Sequence, residues 1–184
     1  NTLINMTNFY KDKVVIVTGA SSGIGLASVR NFASLGAKVV LASRSIEKLE
    51  KIAEELNNRY AAHGSQLTAH CIKTDVTKEE DCKNLIEKTI ETFGKIDILV
   101  NNAGISMRAV FKDLDLNVMR SLMDTNFWGT VYCTKYALPY LLESKGTVVG
   151  VISTAGSVGL PARTAYSASK FAVRGFLEPL RIEH

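Results

Sequence analysis

The chain has 184 residues, 46% of them hydrophobic and 22% charged, which excludes wholesale disorder and suits a soluble globular fold of one domain. Lysine and arginine number 22 against 18 acids, a balance of +4 that is scattered along the chain and too mild for a nucleic-acid partner. No apolar run reaches the ~18 residues of a membrane span, and residues 1–10 have neither the basic nor the apolar region of a signal peptide.

Residues 1–12 read as an N-terminal extension. They hold no initiator Met, and Met6 offers a natural start. Val14-Val15-Ile16-Val17 is a β-branched run that ends at Thr18-Gly19, and Val39-Val40-Leu41 is a second. Residues 67–72 alternate more weakly, and residues 96–100 and 148–152 complete five expected strands. Runs apolar at nearly every position suit strands covered on both faces.

The segments between them carry helical spacing. Ile46, Leu49, Ile52, Ala53, Leu56 and Tyr60 recur every three to four residues behind a cap at Ser45. Thr77 with Glu80 predicts a capping box, and Gly94 ends the helix it starts. Residues 116–144 read as one long helix, with bends at Gly129 or Pro139, and residues 165–183 as the last. Alternation of strands and helices predicts a doubly wound α/β domain, a Rossmann fold in three layers around a parallel sheet.

Glycines crowd the turn after the first strand. In Thr18-Gly19-Ala20-Ser21-Ser22-Gly23-Ile24-Gly25 they allow a sharp turn and a close approach to phosphate. The helix starting near Gly23 aims its free N–H groups at the same place. The second strand ends Ser43-Arg44-Ser45 with no carboxylate for a ribose 2′-hydroxyl. Arg44 instead offers a planar cation to a 2′-phosphate, which predicts NADP(H), with NAD(H) as the alternative.

Cys71, Cys82 and Cys133 are odd in number and lack metal-ligand spacing, and His63, His70 and His184 are dispersed. No metal site is expected, and a reducing cytoplasm fits.

TGASSGIG (18–25), NNAG (101–104), Asn126, Ser153 and YSASK (166–170) together resemble the short-chain dehydrogenase/reductase family, over nearly the whole chain from about Lys11. The resemblance implies an alcohol/ketone oxidoreductase with Tyr166 as acid/base, Lys170 as its tuning cation, Ser153 on the substrate oxygen and Asn126 in a proton relay. Tyr166 and Lys170 stand four apart and share a helix face. A phenol titrates near pH ~10 and is a poor base at neutrality, and a nearby ammonium favours the phenolate.

Ser153 lies at the carboxyl end of the fifth strand, where open parallel sheets bind ligands. No histidine with an acid partner supports a hydrolase. Without the resemblance Asn126 is an ordinary polar helix position. Asn102, Ala103 and Gly104 leave room for the adenosine side, while Asn101 braces a neighbouring strand. Asp75-Val76 either contacts adenine or, through Asp75, starts the next helix.

The resemblance also implies a small-molecule alcohol or carbonyl substrate and a homodimer or homotetramer. It further implies a fold that continues past His184, so the domain is expected to be incomplete at that end. The fifth strand would then show an open edge, and the last helix an uncovered apolar face. The competing reading is a protein that binds cofactor without catalysis.

Overall fold

The computed structural model describes residues 9–60 and 68–184. Five strands, β1 (Val14–Thr18), β2 (Lys38–Ser43), β3 (Ala69–Lys73), β4 (Ile98–Asn101) and β5 (Thr147–Gly150), form one sheet in the order β3-β2-β1-β4-β5. Every pair is parallel, with Val15 opposite Val39 and Ile98, and Val100 opposite Val149. Among the described residues the helices that follow these strands are α1 (Gly23–Ser34), α2 (Ile46–Tyr60), α3 (Glu79–Phe93), α4 (Leu116–Leu122), α5 (Gly129–Ser144) and α6 (Thr164–Glu183).

The alternation of side chains along a strand explains the three layers. Val15, Val17, Val39 and Leu41 face Val29 and Ala33 of α1 and Leu49 and Leu56 of α2. Val14, Ile16 and Val40 face Leu85 and Ile86 of α3 and Cys133 and Ala137 of α5. All five residues of β1 are buried, as a central strand covered on both sides requires. Each buried valine or isoleucine contributes about 1.5–3 kcal/mol of transfer free energy.

The structure shifts several expected boundaries. Ile96 and Asp97 precede β4, and Val151 and Ile152 follow β5. Of the third run, Leu67 lies outside the described residues, as do residues 1–8 of the extension and His63.

The capping box at Thr77 does not form. Helix α3 begins at Glu79 behind Lys78, and the Thr77 hydroxyl donates instead to Asp75 Oδ1 at 2.8 Å. Asp75 and Asp81 organise this turn: the Thr77 amide donates to Asp75 at 3.1 Å, and the Asp75 amide to Asp81 at 2.9 Å. An Asx turn competes directly with a threonine cap for the same N–H groups. Gly94 ends α3 as expected, in the left-handed region at φ 74°.

The expected long helix is interrupted, and not by proline. Residues Met123–Trp128 form a π-helical turn between α4 and α5, while Pro139 sits within α5. The wider turn carries buried Asn126. The Thr130 hydroxyl donates to the Asn126 carbonyl at 2.9 Å, which helps satisfy the altered ladder.

Strand β5 is an outer strand, and Val149 on it is exposed. A groove of about 600 Å³ runs beside it, lined by Leu138 and Leu142 of α5 and Leu177 and Leu180 of α6. Among the described residues no helix is long and apolar enough to cross a membrane, and no group of three His, Cys, Asp or Glu side chains could hold a metal ion.

Candidate active site

A cleft of about 860 Å³ opens across the carboxyl ends of β1, β2, β4 and β5. The first wall is the turn after β1. Gly19 has φ 66°, and a Cβ there would stand 2.9 Å from the Ala103 Cα. Only glycine fits both constraints. A Cβ on Gly25 would collide with the Gly19 carbonyl, so the start of α1 also packs hard on the turn.

Asn102, expected only to leave room for the adenosine side, braces this turn. Its Nδ2 donates to the Thr18 carbonyl at 2.9 Å and the Gly19 carbonyl at 3.3 Å. The buried Thr18 hydroxyl accepts from the Asn102 and Ala103 amides, each at 3.0 Å. Asn101 turns the other way and donates to the Thr134 hydroxyl at 2.9 Å, leaving its Oδ1 buried and unpartnered. Thr18 belonged to the recognised motif, but its hydroxyl serves a strand 84 residues away, which local spacing does not reveal.

Arg44, exposed at the end of β2, lines the cleft beside Ser43, Asp75 and Val76. Burial pushes the Asp75 carboxyl up, but Thr77's hydroxyl and amide, with the Arg44 and Lys78 charges, outweigh it and hold it below its ordinary value. Asp75 is therefore both a turn former and a cleft residue.

Tyr166 and Lys170 stand on α6 and both line the cleft. The Lys170 ammonium lies 6.0 Å from the Tyr166 ring centroid. Lys170 is only 5% exposed and donates to the Val151 carbonyl at 2.8 Å. Burial lowers its pKa, because water no longer solvates the cation. No ion pair to Lys170 forms among the described residues.

Ser153 lies three residues beyond β5 rather than on it, and caps a short 3-10 turn, Thr154–Gly156. Its oxygen accepts from the Ala155 amide at 3.2 Å. Asn126 holds the far side through its amide. Its Oδ1 accepts from the Ile105 amide at 2.8 Å, and its Nδ2 donates to the Ile105 carbonyl at 3.0 Å and the Ser169 hydroxyl at 2.9 Å. Ser169 in turn donates to the Tyr166 carbonyl at 2.8 Å.

The cleft wall thus gathers Gly19, Ser21, Ser22, Ile24, Ser43, Arg44, Asp75, Val76, Asn102, Ala103, Gly104, Ser153, Tyr166 and Lys170. Gly25 packs against the turn and Asn126 holds the Ile105 segment behind the cleft, while Gly23 stands exposed at the start of α1. Ser106, Asp124 and Thr125 also line the cleft, and Asp124 and Thr125 had no motif to mark them.

The short chain dehydrogenase family model matches residues 13–184. The 11-beta-hydroxysteroid dehydrogenase-like 2 of Arabidopsis thaliana is 43% identical over 172 residues, 93% of this chain and 54% of that protein. The dehydrogenase/reductase SDR family protein 7-like of Dictyostelium discoideum is 42% identical, over 95% of this chain and 55% of its own length. The chain spans about half the length of the curated relatives it matches.

Among solved structures, an alcohol dehydrogenase from Thermococcus sibiricus complexed with 5-hydroxy-NADP superposes with a TM-score of 0.89 and 29% identity, over 94% of this chain and 72% of that one. A short chain dehydrogenase/reductase from Burkholderia phymatum in complex with NAD gives 0.87 and 29%, over 95% and 61%.

Proposed function

The chain belongs to the short chain dehydrogenase family, and on that premise we propose an NADP(H)-dependent oxidoreductase that interconverts a secondary alcohol and a ketone. The observation that carries this reading is Lys170, a buried ammonium one helical turn from Tyr166 and answered by a single carbonyl. A buried cation without a carboxylate is costly, and such groups concentrate where chemistry needs them.

The residues fit a nicotinamide dinucleotide. The lack of a Cβ lets Gly19 pack against Asn102 and Ala103 and still line the cleft, where the first N–H groups of α1 are free to meet a pyrophosphate. Arg44 faces the end of β2 without a competing carboxylate on that strand, which favours a 2′-phosphate. Asp75 tempers that preference from across the cleft. The two solved relatives hold one cofactor of each kind, and NAD(H) use is the alternative.

When bound, the nicotinamide supplies hydride for reduction and accepts it for oxidation. Tyr166 gives its phenol proton to the carbonyl oxygen in reduction and takes it back in oxidation. Lys170 stabilises the phenolate left behind and binds the cofactor ribose. The Ser153 oxygen accepts from the Ala155 amide, which leaves its O–H free to donate to the substrate oxygen. Asn126 fixes the Ile105 segment and, through Ser169, the Tyr166 turn, and it belongs to the relay that returns the proton to solvent. Exposed Trp128 and Phe171 suit a homodimer or homotetramer, and the free thiols suit a reducing cytoplasm.

The test follows NADPH absorbance with a panel of ketones, for the protein and for Tyr166→Phe. Turnover should fall at least about a thousandfold in the variant. Equal turnover by Tyr166→Phe overturns the assignment, and NADPH binding without turnover on any ketone points to a non-catalytic cofactor-binding protein.

A further inference from the structure

Arg163 is a cation where a helix disfavours one. It is the N-terminal flanking residue of α6, and its carbonyl accepts from the Ser167 amide at 2.7 Å. The positive pole of the helix repels a guanidinium there, and small oxygen-bearing side chains are the usual choice. The sequence breaks a local rule at the threshold of the Tyr166 turn, which calls for a gain elsewhere.

The gain lies across the mouth of the cleft. Arg163 Nη1 donates to the Ser106 hydroxyl at 2.6 Å and to the Met107 carbonyl at 2.7 Å. Its guanidinium carbon lies 5.9 Å from the Tyr166 ring centroid, so Arg163 and Lys170 both approach that ring. A second tie runs beside the first: the Ala109 amide donates to the Ala162 carbonyl at 3.1 Å. Ala162 has φ 57°, a left-handed conformation that non-glycine residues rarely hold without support. Two bonds from one guanidinium and one backbone bond therefore join the segment after β4 to the entry of α6.

We propose that Arg163 is a positioning residue, a latch that fastens residues 106–109 to the Tyr166 helix and so sets the width of the substrate entrance. Ser106 lines the cleft, and exposed Val110 and Phe111 continue from the latched segment. Exposed Val158 and Leu160 stand on the opposite connection, which leads into Ala162. The latch spaces two apolar arms, so it discriminates by the bulk of the carbonyl compound rather than by cofactor. The kinetic part of this inference rests on the oxidoreductase reading above, and the structural part does not.

Trypsin cleavage after exposed Arg108 reads the latch directly, in the parent, Arg163→Met and Ser106→Ala. The second variant alters one exposed hydroxyl and guards against misfolding of the first. NADPH titration and turnover of cyclohexanone and of bulkier 2-decalone accompany it. Cleavage after Arg108 should quicken about tenfold in Arg163→Met, the loss of roughly one charge-assisted hydrogen bond, and less in Ser106→Ala. NADPH affinity should stay within about twofold, since the latch lies apart from the phosphate turn.

The decalone kcat/KM should fall about tenfold through KM, with cyclohexanone changed by less than about threefold, and Arg163→Lys should recover only part of the loss because a point charge cannot replace the fork. Parent-like cleavage in both variants overturns the latch. Faster cleavage with an unchanged ratio between the two ketones overturns its control of substrate bulk. A parent that reduces no ketone of the wider panel, while the cleavage difference holds, overturns the oxidoreductase reading and leaves the latch standing.

Discussion

At the amino ends of β1 and β4 the Asp97 carboxylate is buried and fully answered. Lys13 reaches Oδ1 at 2.9 Å, Lys95 reaches Oδ2 at 2.8 Å, and the Val14 amide donates to Oδ2 at 2.8 Å. At the carboxyl end of the sheet the Lys170 ammonium is equally buried and answered by one carbonyl. Burial pushes the Asp97 carboxyl up, but Lys95, the Val14 amide and Lys13 outweigh it and hold it below its usual value, whereas burial alone acts on Lys170 and lowers it. A charge closed off by partners fastens strands together. A charge left open is available to a ligand. The same sheet does both because its two ends face different loops.

Lys170→Met is the strongest way to break that comparison. It should cut kcat/KM by about a hundredfold or more while leaving the melting temperature unchanged or higher, since methionine fills the site without a buried charge. A calorimetric scan beside the kinetics checks both halves, and a large loss of stability would make Lys170 structural like Asp97.

Asp97→Ala should do the reverse. Lys13 and Lys95 are partly exposed and screened by water, so most of the cost is the orphaned Val14 amide and the lost packing, together about 2–3 kcal/mol. Urea unfolding would register it, with NADPH affinity preserved.

A smaller effect sharpens the ligand end. Arg44→Ala should weaken NADPH binding about tenfold and leave NADH binding nearly unchanged, as the loss of one charge-assisted contact predicts. Equal weakening of both cofactors would remove Arg44 from the 2′-phosphate.

Smallest is the pH signature of stability. The depressed Asp97 pKa contributes stability that is present above the unfolded value of about 3.9 and lost as pH falls through the folded one. The depressed Lys170 pKa has the opposite consequence. Its burial cost persists below the folded pKa and fades as pH rises toward the unfolded value of about 10.4. Acid melting curves of the parent and Asp97→Asn, and alkaline curves of the parent and Lys170→Met, should separate accordingly.

Much of this contrast was legible in the residues. Val14–Thr18 reads as a covered strand because nearly every position is β-branched, and Gly94 reads as a stop because only the left-handed conformation closes that turn. The glycine turn stood out by its place between a strand and a helix, and Tyr166 and Lys170 stood out only together with the other motifs of the family resemblance. The features that escaped depend on contacts distant in sequence or on competition between near-equal local bonds. The bracing by Asn102 needs Thr18 to be beside it in space. Asp75 wins the turn from Thr77 through Asp81, three elements of one small network. The π turn at Met123–Trp128 has no composition of its own, and becomes intelligible only through the Asn126 bonds to Ile105 and Ser169.

The brace on Gly19 has a kinetic meaning. Two carbonyls of the phosphate turn are already held by the Asn102 amide in the free protein, and the Thr18 hydroxyl holds the facing strand end. On the cofactor reading proposed above, this turn need not order itself when a dinucleotide arrives, so the encounter rate should be set by diffusion and orientation. Differences in affinity between cofactors should then be written almost wholly in how long each one stays.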